Sequence, residues 1–97
     1  MKKICPITES IKIIGTKPRL LIIRYLSDSE KSFNDLRRVC MISSRTLSIN
    51  LKYLLEQKII DHKSMDNKNI YFLTQKGKEL LPIIKKLGNW GLKWKVC

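Results

Sequence analysis

The stretch Ser43-Ser-Arg-Thr-Leu-Ser-Ile-Asn-Leu-Lys-Tyr-Leu-Leu-Glu-Gln57 reads as a helix with two unlike faces. Leu47, Leu51, Leu54 and Leu55 recur at helical spacing, and Ser43 stands where an N-cap hydroxyl accepts from the first turn. At about 100° per residue, the opposite face holds Arg45, Thr46, Ile49, Lys52, Tyr53 and Glu56, with Ser44 and Ser48 on its flank. An apolar Ile49 turned away from its own core needs a partner, although a single exposed isoleucine is also common.

Upstream, Ser32 with Asp35 has the form of a weak capping box opening a helix whose apolar residues are Phe33, Leu36 and Cys40. Only Met41-Ile42-Ser43 separates the two helices. From Leu36 to Leu55 there are four basic residues, Arg37, Arg38, Arg45 and Lys52, and no acidic one, so the pair forms a positive surface. Downstream, Ile59 to Met65 and Asn69 to Leu73 read as strands around a tip at Asp66-Asn67-Lys68.

Further out, Ile4, Ile7, Ile11 and Ile14 predict a short helix after Pro6 that stops at Gly15. Lys17-Pro18 opens a second helix, apolar almost all round from Leu20 to Leu26 and therefore central to the core. Residues 27–31 read as a polar connection. Thr74 caps a last helix running toward Trp94, with Pro82 near its first turns or at a bend. The resulting fold class is mainly α with a small β-hairpin, a winged helix-turn-helix in which the second helix of the motif enters a DNA major groove.

Composition agrees with a nucleic-acid partner. The 97 residues carry a formal net charge of +12, with 10 basic and 4 acidic groups in each half, so the excess is not a basic tail. Length allows one small domain, for which dimerisation is expected. No apolar run is long enough for a membrane span and Met1-Lys-Lys-Ile-Cys-Pro6 lacks a signal peptide's apolar core, so a cytoplasmic location without a membrane partner is expected. Cys5, Cys40 and Cys97 are too far apart for a metal knuckle, and His62 is the one histidine, so neither a metal, a cofactor nor a catalytic set is expected. The chain does not read as an enzyme.

The pieces Cys5-Pro-Ile7, Leu20-Leu-Ile-Ile-Arg-Tyr-Leu26, Ser32-Phe-Asn-Asp-Leu-Arg-Arg38, Ile42-Ser-Ser-Arg-Thr-Leu-Ser48, Leu51-Lys-Tyr-Leu-Leu-Glu56, Tyr71-Phe-Leu-Thr-Gln-Lys-Gly77 and Leu80-Leu-Pro82 through Trp90-Gly91 resemble, in order and spacing, the HxlR-type winged-helix regulators, a branch similar to the MarR family. The resemblance covers nearly the whole chain. It implies a homodimeric DNA-binding transcription regulator whose N-terminal helix (1–15) and C-terminal helix (74–97) flank a winged-helix core (16–73) and form the dimer interface. It also implies a redox or electrophile sensor at the cysteine near the N-terminus, as in some members. Three places depart from the family pattern: Thr16-Lys17-Pro18 where Gly-Lys-Trp is usual, Lys58 where glycine is preferred, and Asn67-Lys68-Asn69 where many relatives have proline or arginine.

The candidate DNA contacts are then Ser43, Ser44, Arg45, Thr46, Ser48, Ile49, Lys52 and Tyr53 on the recognition helix. Arg37 and Arg38 precede it, and Lys63 and Lys68 lie on the 61–71 wing. Arg45 suits a guanine edge and Ile49 a thymine methyl, while the serines read equally as caps. Dimer candidates are Ile7, Ile11, Ile14, Leu87, Trp90 and Trp94. Cys5 is the one candidate for chemistry, its thiolate favoured by nearby Lys2 and Lys3; otherwise it is a small apolar interface residue. A pseudo-palindromic operator and a repressor role are expected, with a small-molecule or redox effector. Lys85, Lys86, Lys93 and Lys95 exceed what one reading face needs, which keeps open an architectural, chromatin-like DNA-binding protein of weak specificity.

Overall fold

The computed structural model describes residues 5–96. The expectations placed on Lys2, Lys3, Ile4 and Cys97 lie outside those residues. The first helix, α1 (Pro6–Ile14), carries Pro6 in its first turn. Gly15 ends it with φ of −80°, not in the left-handed region. Glycine serves here by close approach, because a Cβ would collide with the Ile11 carbonyl that the Gly15 amide binds at 2.6 Å. Helix α2 (Lys17–Asp28) follows and sinks Ile22, Ile23 and Leu26 into the core.

Lys31–Ser32 is a short strand, β1, joining the last residue of the stretch read from sequence as a plain connection to the N-cap serine of the next helix. It pairs antiparallel with Tyr71 and Ile70, so the sheet has three strands in the order β1-β3-β2 rather than a lone hairpin. Two residues have too little periodicity to be seen in a sequence. Helix α3 (Phe33–Cys40) begins with the expected capping box: Asp35 N–H donates to Ser32 Oγ at 3.2 Å and Ser32 N–H to Asp35 Oδ2 at 3.4 Å. Met41 ends it at φ 55°, a left-handed position held by a non-glycine.

Helix α4 (Ser44–Glu56) buries Leu47, Leu51 and Leu54 against α2 and α3. Each such leucine contributes roughly 1.5–3 kcal/mol. The helix closes with a Schellman arrangement: Ile59 N–H donates to Leu54 O and Lys58 N–H to Leu55 O, both at 3.0 Å. That geometry forces Lys58 to φ 60°, so the chain keeps a turn suited to glycine and bears the side-chain strain.

Strands β2 (Ile60–Met65) and β3 (Lys68–Leu73) form the wing. Met65 pairs with Lys68, so the tip is two residues, Asp66 and Asn67, not the three expected; the outer ends of the strands fall within the expected 59–65 and 69–73, and the pairing extends past the 61–71 given for the wing. Both tip residues have positive φ, 50° and 63°, as a type I′ turn requires. The expected single helix over 74–97 is two: α5 (Gln75–Lys78) and α6 (Leu81–Lys93), broken at Glu79-Leu80. Pro82 sits in the first turn of α6, where its missing N–H costs nothing. Thr74 caps α5 by accepting from Gly77 N–H at 3.2 Å, and Thr74 N–H donates to Ile59 O at 3.1 Å, fastening the start of the C-terminal segment to the root of the wing.

Candidate nucleic-acid interface

The α4 N-terminus is organised by Ser43, whose Oγ accepts from Thr46 N–H at 3.1 Å and donates to Thr46 Oγ1 at 3.0 Å. Both hydroxyls are thus engaged within the protein, and Thr46 is half-buried. Ser44, Arg45, Ser48 and Lys52 are exposed, and neither Arg45 nor Lys52 makes an ion pair among the described residues. Ile49 is 56% exposed between them. A helix N-terminus with free amides, an unpaired guanidinium and an exposed isoleucine can take phosphate and base edges together.

Other candidates are less free. Tyr53 is half-buried under Arg19, whose Cζ lies 3.7 Å from the ring centroid. Arg38 is ion-paired with Asp35, while Arg37 is exposed and outside any ion pair among the described residues. Lys63 is paired with Glu30 at 2.9 Å, and Lys68 is exposed beside the wing tip. His62 is exposed and tilted against Tyr71 at 5.9 Å between centroids.

Sequence reasoning missed Arg19 and Asn50. Asn50 is the buried polar side chain of the core, its Nδ2 donating to Thr46 O at 2.8 Å and its Oδ1 accepting from Arg19 Nε at 3.2 Å. A signal existed, since Asn50 falls on the leucine face of α4, where an unpaired amide is costly.

On the far elements, Ile7, Ile11, Leu87, Trp90 and Trp94 are exposed, whereas Ile14 is half-buried against its own core. Helix α6 also exposes Ile83 and Leu92 beside exposed Lys85, Lys86 and Lys93. Cys5 is exposed at the start of α1. Its Sγ closes no capping hydrogen bond, yet the Thr8 hydroxyl, and then the first-turn amides of Thr8 and Ile7, hold its thiol below the usual value. The local cause is therefore the helix start; Lys2 and Lys3, proposed from sequence, lie outside the described residues. Burial pushes the Cys40 thiol up, as for an inert core cysteine. Among the described residues no group of three His, Cys, Asp or Glu could hold a metal ion, and no helix is long and apolar enough to cross a membrane.

A three-stranded sheet beside a basic helix-turn-helix, with an open helix face ahead of a two-stranded wing, defines a winged helix-turn-helix DNA-binding protein. The chain belongs to the HxlR-like helix-turn-helix family, whose model matches residues 13–96. It is 33% identical over 95 residues to YdeP, an uncharacterized HTH-type transcriptional regulator of Bacillus subtilis, covering 94% of this chain and 74% of that protein. A MarR-family transcriptional regulator from Porphyromonas gingivalis superposes with a TM-score of 0.84 at 29% identity, covering 95% of this chain and 94% of that one. The quinone-bound form of the B. subtilis regulator YodB superposes with a TM-score of 0.80 at 30% identity, covering 93% and 99%. The protein is a DNA-binding transcriptional regulator of a family of regulators, not enzymes.

Proposed function

We propose that the chain is a single 1–97 domain acting in the cytoplasm as a homodimeric repressor that reads a pseudo-palindromic operator. The observation that carries this is the α4 face itself: Ser44, Arg45, Ser48, Ile49 and Lys52 are exposed together, and no acidic residue occurs from Leu36 to Leu55. Helix α4 lies in the major groove, with Arg45 on a guanine edge and Ile49 on a thymine methyl. Arg37, Lys52 and Tyr53 take phosphates, as do Arg38 and Lys63 once they exchange their carboxylate partners for the DNA backbone, and Lys68 follows from the wing. Ser43 and Thr46 present the helix amides. The exposed apolar stripes of α1 and α6, around Ile7, Ile11, Leu87, Trp90 and Trp94 with Ile14 at the edge, join two copies. The two recognition helices then sit about one DNA turn, roughly 34 Å, apart.

Cys5 is the site of a redox or electrophile signal, a reading supported by its exposure and lowered pKa and by the quinone-bound state of YodB. Diamide should weaken DNA binding by the wild type and leave Cys5→Ser unchanged; an identical response in both removes Cys5.

The second reading, an architectural DNA-binding protein, is favoured by one observation: the exposed Lys85, Lys86, Lys93 and Lys95 lie outside the reading face. Anisotropy titrations against a duplex enriched from a random pool by the wild-type protein, and against its scrambled counterpart, separate the two. A preference of about 10³ at physiological salt is expected of a regulator, and Arg45→Ala should cut it by about tenfold or more. A ratio near one for the wild type sinks the regulator.

A further inference from the structure

Arg19 joins two elements that the sequence gives no reason to connect. Its Nη1 donates to Lys12 O at 2.8 Å and approaches Ile13 O at 3.5 Å, two carbonyls of the last turn of α1 that lack helical partners. Its Nε donates to Asn50 Oδ1 at 3.2 Å, and its guanidinium sits over Tyr53 with Cζ 3.7 Å from the ring centroid. Asn50 in turn holds the Thr46 carbonyl of α4, and Tyr53 Oη reaches toward Lys12 O at 3.5 Å. Helix α1 has no fully buried residue; it is fastened to the body through half-buried Ile13 and Ile14 and through this guanidinium.

We propose that Arg19 is a positioning residue that makes the setting of α4 on DNA depend on the state of α1. The inference rests on α4 being the reading helix and adds what holds it at its working angle. An arginine suits the task because its planar fork bonds along its edge and stacks on its face at once, which a lysine ammonium does not. When α1 shifts or unwinds, Nη1 loses both carbonyl acceptors, and the hold on Asn50, next to Ile49, and on Tyr53, one turn further on, loosens with it. A change at α1 is thereby felt as a change in sequence preference, with no contact between α1 and DNA.

The test is a double-mutant cycle on the full chain, read as the ratio of affinities for the pool-selected duplex and its scrambled counterpart. Ser10→Pro breaks α1 ahead of the clamped carbonyls; Arg19→Lys keeps the charge and removes the fork. Each alone should lower the ratio about tenfold, and Ser10→Pro should lower it no further in the Arg19→Lys background. Equal losses in both backgrounds overturn the proposal, because they mean α1 acts on DNA binding by another route, such as dimerisation. Should Arg19→Lys not fold, hydrogen exchange on DNA-free Ser10→Pro decides the matter: faster exchange of α4 amides from Leu47 to Tyr53 supports the clamp, and unchanged exchange overturns it. Arg45→Ala is run alongside. If it keeps the full preference, the reading of α4 has failed; if it loses the preference while the cycle is additive, only the Arg19 link has failed.

Discussion

Lys63 Nζ on the wing lies 2.9 Å from Glu30 Oε1 and 3.1 Å from Oε2, tying β2 to the segment that leads into β1. The same ammonium stands 5.6 Å from the Phe72 ring centroid. Glu30 therefore competes with DNA phosphate for Lys63. Both partners are about half exposed, so the pair contributes little to stability, about 0–1 kcal/mol. Glu30→Gln should leave the melting temperature nearly unchanged and tighten DNA binding at low salt, because Lys63 no longer gives up a carboxylate to reach a phosphate. An unchanged affinity would show that Lys63 does not reach the backbone.

The apolar stripe of α6 sets the state of assembly. Trp90 is 57% exposed on a single chain and lies at the centre of the stripe formed with Leu87 and Trp94. Sedimentation of the wild type should give twice the 11.4 kDa of one chain, and Trp90→Glu should give one copy, with its far-UV spectrum largely retained. A wild type that sediments as one chain rules out the seam.

Lys58 occupies the left-handed position of the Schellman turn. Lys58→Gly should raise stability by about 1 kcal/mol, the strain of a side chain there less the entropy glycine loses on folding. Urea unfolding should show a higher midpoint with the same slope.

Gly77 is confined for a different reason. A Cβ at this position would collide with the Ile59 carbonyl and come within 3.2 Å of Leu73 Cδ2. The carbonyl cannot move away, since it accepts from Thr74 N–H. Gly77→Ala should cost about 1–3 kcal/mol, read as a lower melting temperature.

Asp35 links stability to pH. The Ser32 hydroxyl, then the Ser32 amide and Arg38, hold its carboxyl below the usual carboxylate range. A depressed pKa means that the folded form binds this proton less readily than the unfolded one. The stabilisation is then complete above about pH 4 and is lost as pH falls through the folded value. The advantage of the wild type over Asp35→Asn, measured by urea unfolding, should shrink as the pH is lowered below about 4. A gap that stays constant down to pH 2 would show that the capping box does not titrate.

The elements legible in the sequence were those with a period or a cap. Leu47, Leu51 and Leu54 announced α4, and Ser32 with Asp35 announced α3, because each residue acts within one helical turn of its partner. What escaped depends on contacts between segments distant in the chain. Strand β1 exists because Lys31 and Ser32 meet Tyr71 and Ile70, and the seat of the C-terminal segment rests on Thr74 and Gly77 packed against Ile59. In the candidate interface, residue type and helix face identified Arg45, Ile49 and Lys52 as exposed. They did not reveal that Arg38 and Lys63 already have carboxylate partners, or that Tyr53 is roofed by an arginine 34 positions earlier in the chain.

Helix α1 is nine residues long and sends no side chain fully into the core. A helix of that length has little helicity of its own in water. In a single chain its amides should therefore exchange ahead of those in α2, and a protease should cut there while the winged core is still folded. Whatever covers α1 would then also set how long the protein resists proteolysis.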